Sequence, residues 1–79
     1  MEDPRPTARV MRAVSARIAD GTYEPGARIH LGLLGDELGI GADTIRNAML
    51  QLQGQGLVRF WRGLGWYVEG PPPEGEGPE

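Results

Sequence analysis

Three polar side chains, Thr44, Arg46 and Asn47, stand within about one helical turn of each other near the start of the stretch 42–53. Arginine can grip a phosphate or hydrogen-bond a guanine edge through two donors. Threonine and asparagine can donate to phosphate or read a base. Placed on the outer face of a short helix, this trio has the chemistry to recognise double-stranded DNA in its major groove. A plainer use of the same residues competes with that one. Arg46 stands three residues after Asp43, the spacing of an ion pair within a helix, and an acid in a first turn suits the helix dipole without further function. Asp43 would repel a phosphate unless it accepted a hydrogen bond from a cytosine amino group.

A second constellation lies downstream. Arg62-Gly63-Leu64-Gly65 has the composition of a hairpin tip, with Gly63 and Gly65 free to take positive φ. Arg62 at such a tip could reach a minor groove or a backbone phosphate, and Arg9 and Arg12, off the apolar stripe of the first helical stretch, could meet phosphates too. Trp61 and Trp66 fall on opposite strands close to this tip. Either one of them packs on the core, or the two join Leu64 in an exposed apolar patch of the kind that marks a protein-interaction surface. A protein-interaction module, binding a partner or a second copy through Trp61, Leu64 and Trp66, is therefore the alternative to a DNA reader.

Other chemistries find no footing. Ser15 is the one serine and lies mid-helix without a nearby base; cysteine is absent, and His30 is the one histidine, expected as a plain strand residue. The carboxylates are scattered. Gly63-Leu64-Gly65 is not followed by a helix and so is not a phosphate loop. An enzyme, a cofactor and a metal site are not expected.

The chain of 79 residues allows one domain, with a small core; a chain of this size buries about 60% of the surface it exposes when unfolded. The formal net charge is −3 and every basic residue is arginine. An acidic balance argues against nucleic acid, whose binding rests on phosphate neutralisation. Its distribution softens the objection: residues 7–69 carry seven arginines and six acids, and the remaining acidity sits at the two ends. No apolar run approaches the roughly 20 residues of a membrane span, and the start lacks the apolar block of a signal peptide, so a cytoplasmic location is expected and no membrane partner.

The elements that must position these residues can be read from periodicity. Residues 1–6 read as a disordered lead. Thr7 is a plausible N-cap for a helix reaching Asp20, with Val10, Met11, Val14 and Ile18 at helical spacing and Gly21 as its stop. Residues 22–26 are a turn, and Arg28-Ile29-His30 is a short extended segment that needs a hairpin as partner. Residues 31–38 form a second helix, with Leu31, Leu34 and Leu38 on one face and Gly35 suggesting a close helix contact. Gly39 supplies a left-handed turn and Ile40 plugs between helices. Residues 42–53 form a third helix with the inward stripe Ile45, Ala48, Met49 and Leu52. Residues 57–61 and 66–69 read as two strands around the tip. Residues 70–79 read as a disordered acidic proline- and glycine-rich tail or linker. The expectation is an α+β winged helix-turn-helix at residues 7–69, with three helices, a short first strand and a C-terminal two-stranded wing.

Residues 10–68 resemble the DNA-binding domain of the GntR family of bacterial transcription regulators. The resemblance is carried by Ile18-Ala19-Asp20-Gly21 ("I-x-x-G"), by Pro25-Gly26-Ala27-Arg28-Ile29 ("P-G-x-x-L") and by Leu38-Gly39-Ile40 ("L-G-V"). It continues in Ile45-Arg46-Asn47-Ala48-Met49 followed by Leu52 ("V-R-E-A-L-x-x-L"), in Gly56-Leu57-Val58 ("G-L-V") and in Gly63-Leu64-Gly65-Trp66-Tyr67-Val68 ("G-R-G-T-F-V"). It implies a regulator whose helix 42–53 enters the major groove through Thr44, Arg46 and Asn47, whose wing 62–65 meets the backbone or minor groove, and which binds a palindromic operator as a dimer. The family's contact stretch "S-R-T-T/P-V-R" falls on Gly41-Ala42-Asp43-Thr44-Ile45-Arg46. Its serine, arginine and first threonine are thus Gly41, Ala42 and Asp43 here. An arginine early in the preceding helix falls at Gly32, and the basic residue of the wing tip at Leu64. The resemblance includes no effector domain.

Overall fold

Proline at the first position of a helix loses no hydrogen bond, because its missing N–H would have had no partner there. The first helix uses this. In the computed structural model, which describes residues 5–69, α1 runs Pro6–Ala19, with Arg5 in the N-cap position and no side-chain cap. Thr7 is inside the first turn instead of capping it, and Arg5 and Pro6, read from sequence as lead, belong to the helix start. Residues 1–4 and 70–79, the remainder of the expected lead and tail, lie outside the described residues. Val10 and Val14 form the buried face of α1. Asp20 follows as C-cap and Gly21 takes the left-handed conformation at φ 87°, as its position predicts.

Arg28–Ile29 is β1, and it is paired as expected, antiparallel to β3 with Arg28 opposite Tyr67 and Ile29 opposite Trp66. His30 is not part of the strand; it is the N-cap residue of α2 (Leu31–Leu38), and its carbonyl accepts from the Leu34 N–H at 3.0 Å. Gly39 closes α2 in the left-handed region, and the Ile40 N–H donates back to the Gly35 carbonyl at 2.9 Å. The chain then enters α3 (Ala42–Gly54), from the extended Gly41. The turn is tight enough that α2 needs a residue without a side chain: a carbon on Gly35 would stand 2.8 Å from the Ile40 carbonyl oxygen. That is the close contact Gly35 suggests.

β2 (Val58–Trp61) and β3 (Gly65–Val68) form the wing, in a three-stranded antiparallel sheet of order β1-β3-β2. The hairpin closes through the Leu64 N–H on the Trp61 carbonyl at 2.8 Å. The core is one cluster in which Val10 and Val14 of α1, Leu34 of α2 and Ile29, Val58, Trp66 and Val68 of the sheet surround the four inward residues of α3, Ile45, Ala48, Met49 and Leu52. Each large side chain buried this way contributes about 1.5–3 kcal/mol relative to exposure. Arg17 straps the outside: it donates to both carboxylate oxygens of Glu37 at 3.1 and 3.0 Å and to the Tyr23 hydroxyl at 2.9 Å, joining α1, the following turn and α2. The winged helix-turn-helix expected from the sequence is the fold observed.

Candidate nucleic-acid interface

The core fixes how α3 is turned. With Ile45, Ala48, Met49 and Leu52 fully buried, residues Asp43, Arg46, Asn47 and Leu50 point out. Arg46 stands at the centre of this outer face. On one side it borders a cleft of about 340 Å³ shared with Leu31, Gly32, Gly35, Asp36, Gly41 and Ala42, between the starts of α2 and α3. On the other it borders a cleft of about 300 Å³ shared with Leu50, Gln53, Phe60 and Trp66, between α3 and the wing. Its Nη1 lies 3.5 Å from the Asp43 carboxylate, and the two side chains are 61% and 99% exposed. The ion pair that sequence spacing suggests is present, but it is long and solvated, the kind that contributes little. Thr44 is half-buried and Asn47 exposed on the same helix.

The wing tip carries Arg62 and Gly63, both exposed, with Leu64 and Gly65 half-covered. Gly63 and Gly65 have φ of 82° and 112°, so both glycines are needed by the turn. Arg9 and Arg12 are exposed on α1. Among the described residues, Arg9, Arg12, Arg28 and Arg62 form no ion pair, whereas Arg17 and Arg59 are each held by two hydrogen bonds to a carboxylate. The hydrogen bonds that Arg59 donates to Glu69, diagonally across the hairpin base, raise the Arg59 pKa above its ordinary value, and those that Arg17 donates first to Glu37 and then to Tyr23 do the same for Arg17. Arg59 also lies over the Trp61 ring, 5.5 Å from its centroid.

The apolar patch considered at the wing does not form as drawn. Trp66 is only 8% exposed and belongs to the core, its ring 5.1 Å from that of Phe60. The alternation of β3 puts it on the side facing α3, where the large ring completes the core. Trp61 is on the opposite face and half-covered, and Leu64 is half-covered as well. Among the described residues the large apolar side chains left exposed are Leu33, Leu50 and Phe60, none of which the sequence singled out. Phe60 shares the inward side with Val58, but it lines the open cleft between α3 and the wing and stays 48% exposed.

One arginine that sequence reasoning passed over, Arg28, is brought to the wing by strand pairing. It lies against Gly65 and borders a cleft of about 540 Å³ with His30, the start of α2 and Trp66. No group of three or more histidine, cysteine, aspartate or glutamate residues that could hold a metal exists among the described residues. No described helix is long and apolar enough to cross a membrane.

Comparison with known proteins gives this arrangement a context. The sequence profile described as bacterial regulatory proteins, gntR family, matches residues 6–68. The N-terminal domain of AraR, solved in complex with a mutant ORR3, is 29% identical with a TM-score of 0.79, over 86% of this chain and 99% of that one. The AraR DNA-binding domain in complex with operator ORE1 is 30% identical with a TM-score of 0.76, over 86% and 82% of the two chains. A GntR family transcriptional regulator from Listeria monocytogenes is 25% identical with a TM-score of 0.78; the alignment spans 90% of this chain but 64% of that protein. No match was found among curated proteins.

Proposed function

Because the chain belongs to the gntR family of bacterial regulatory proteins, we propose that α3 is its recognition helix, entering the major groove with Arg46 at the centre of the contact. The domain is a DNA-binding winged helix-turn-helix of a transcription regulator, not an enzyme. The observation that carries the finer reading is the setting of Arg46: exposed, paired among the described residues with a solvated Asp43 3.5 Å away, and flanked by open clefts toward both α2 and the wing. Arg46 meets a guanine edge or a phosphate, with Thr44 and Asn47 beside it donating to base or backbone. Arg62, with the backbone of Gly63 and Gly65, contacts the backbone or minor groove at the wing, and Arg9 and Arg12 contact phosphates from α1. Two copies on a palindromic site would place two such helices one turn of duplex apart. The place of action is the bacterial cytoplasm, where the DNA is.

The test is a titration with duplex DNA at low salt, followed residue by residue. Shifts at residues 41–47 and 62–65 are expected, with loss of affinity on Arg46→Ala. Absence of binding to any duplex at low salt would overturn the reading. Sedimentation with and without a palindromic duplex checks the pairing of two copies.

A further inference from the structure

We propose that Arg28 is a phosphate anchor beside the wing tip, gripping the DNA backbone between the hairpin tip and the start of α2. The inference rests on the DNA reading above and adds a contact from β1, an outer strand of the sheet. Three observations lead to it. First, the guanidinium is directed to the wing: a side-chain carbon at Gly65 would stand 3.5 Å from Nη2 and 3.6 Å from Nε. Gly65 has none, so the fork can lie against the strand within one residue of the tip. Second, the group is exposed and, among the described residues, without an acid partner. Third, it borders the open cleft of about 540 Å³ whose far wall is the start of α2, at Leu31, Gly32 and Leu33. Asp36 lines that cleft too and forms no ion pair with Arg28 among the described residues, which leaves the arginine side as the one suited to an anion.

The contrast with Arg59 sharpens the assignment. Arg28 and Arg59 stand on either side of Tyr67 in register, one on each outer strand. Arg59 is neutralised by two hydrogen bonds to Glu69 at 3.2 and 3.0 Å. Arg28 is not, so of this pair it is the one whose charge is available. Its position beside the strand edge and away from α3 suits a backbone phosphate and not a base edge. A phosphate contact of this kind fixes orientation and carries no sequence preference.

The experiment measures affinity for a random-sequence duplex of about 30 base pairs as salt rises from about 50 to 200 mM. Arg28→Gln should lower the magnitude of the log–log salt slope by about 0.9, so that the intact protein loses about three- to fourfold more affinity over that range than the variant. Arg28→Lys, which keeps the charge, should keep the slope, and Arg59→Gln should leave it unchanged. If Arg28→Gln matches the intact protein in slope and affinity while Arg46→Gln weakens binding, the anchor is wrong and the recognition helix stands. If Arg28→Lys loses the slope together with Arg28→Gln, charge is not what Arg28 supplies and the proposal falls. If the intact protein binds no duplex at all, both readings fall.

Discussion

The two faces of α3 have opposite relations to the rest of the molecule. On the inner face Ile45, Ala48, Met49 and Leu52 are fully buried and touch α1, α2 and the sheet at once. On the outer face Asp43, Arg46, Asn47 and Leu50 touch little of the described protein; Leu50 is half-exposed and the Asp43–Arg46 ion pair is solvated. A residue on the inner face is constrained by volume, because protein interiors are close-packed and a lost methylene is felt. A residue on the outer face is constrained only by what it binds. The same helix can therefore keep its scaffold while its contact chemistry drifts. That is the pattern the resemblance implies: scaffold positions are matched, while Ala42 and Asp43 fall where the family's contact stretch has an arginine and a threonine.

If the division is real, substitutions on the inner face should disturb stability and those on the outer face should disturb binding. Leu52→Ala should have the largest effect, a loss of about 2–5 kcal/mol. A small domain sits at the low end of the usual 5–15 kcal/mol range, so the variant should be substantially unfolded near body temperature, as urea denaturation followed by circular dichroism would show. A loss under about 1 kcal/mol would mean that this face is not close-packed. Next comes Gly35→Ala. Helix propensity alone predicts a gain of about 1 kcal/mol. The 2.8 Å approach to the Ile40 carbonyl predicts the opposite, since backbone cannot rotate away as a side chain can, and overpacking typically costs about 1–3 kcal/mol. A melting temperature that rises would show that the turn can open without cost. Arg46→Ala should leave the melting temperature nearly unchanged and weaken operator binding about tenfold or more, the effect of removing a bidentate base contact. A melting temperature that falls sharply with binding intact would place Arg46 in the scaffold and erase the division.

How much of this was legible in the sequence follows the same division. The inner face of α3 and the left-handed turns at Gly21 and Gly39 could be read from spacing, because periodicity and glycine placement are local signals. The start of α1 could not be fixed by its cap, since Pro6 opens the helix without a capping side chain and Thr7 only resembled one. The role of Trp66 needed the sheet order. Trp66, Tyr67 and Val68 are buried in succession, which breaks the alternation of a half-exposed strand, because β3 is the middle strand with Arg28 and Arg59 flanking Tyr67. Arg28 was the hardest to see. A two-residue strand has no period, and its neighbour Gly65 is distant in sequence; only the pairing of β1 with β3 brings them together.

Asp43 gives the smallest effect and the finest test of the outer face. Its side chain is almost fully exposed, and its partner among the described residues is Arg46 at 3.5 Å. Two opposed outcomes follow from its two possible relations to DNA. If Asp43 merely faces the duplex, its charge repels phosphate and competes for Arg46. Asp43→Asn should then tighten binding a few-fold at low salt and lose that advantage as salt screens the repulsion within about 10 Å. If instead it accepts a hydrogen bond from a cytosine amino group, Asp43→Asn should weaken binding to the preferred duplex and relax preference at one position only. Thermal stability should barely move in either case, because the residue packs against nothing. Selection of a preferred duplex from a random pool by both forms of the protein, read at low and moderate salt, separates the two. Identical preferences with tighter low-salt binding would make Asp43 a damper on DNA affinity, and a preference lost at a single base pair would make it a reader.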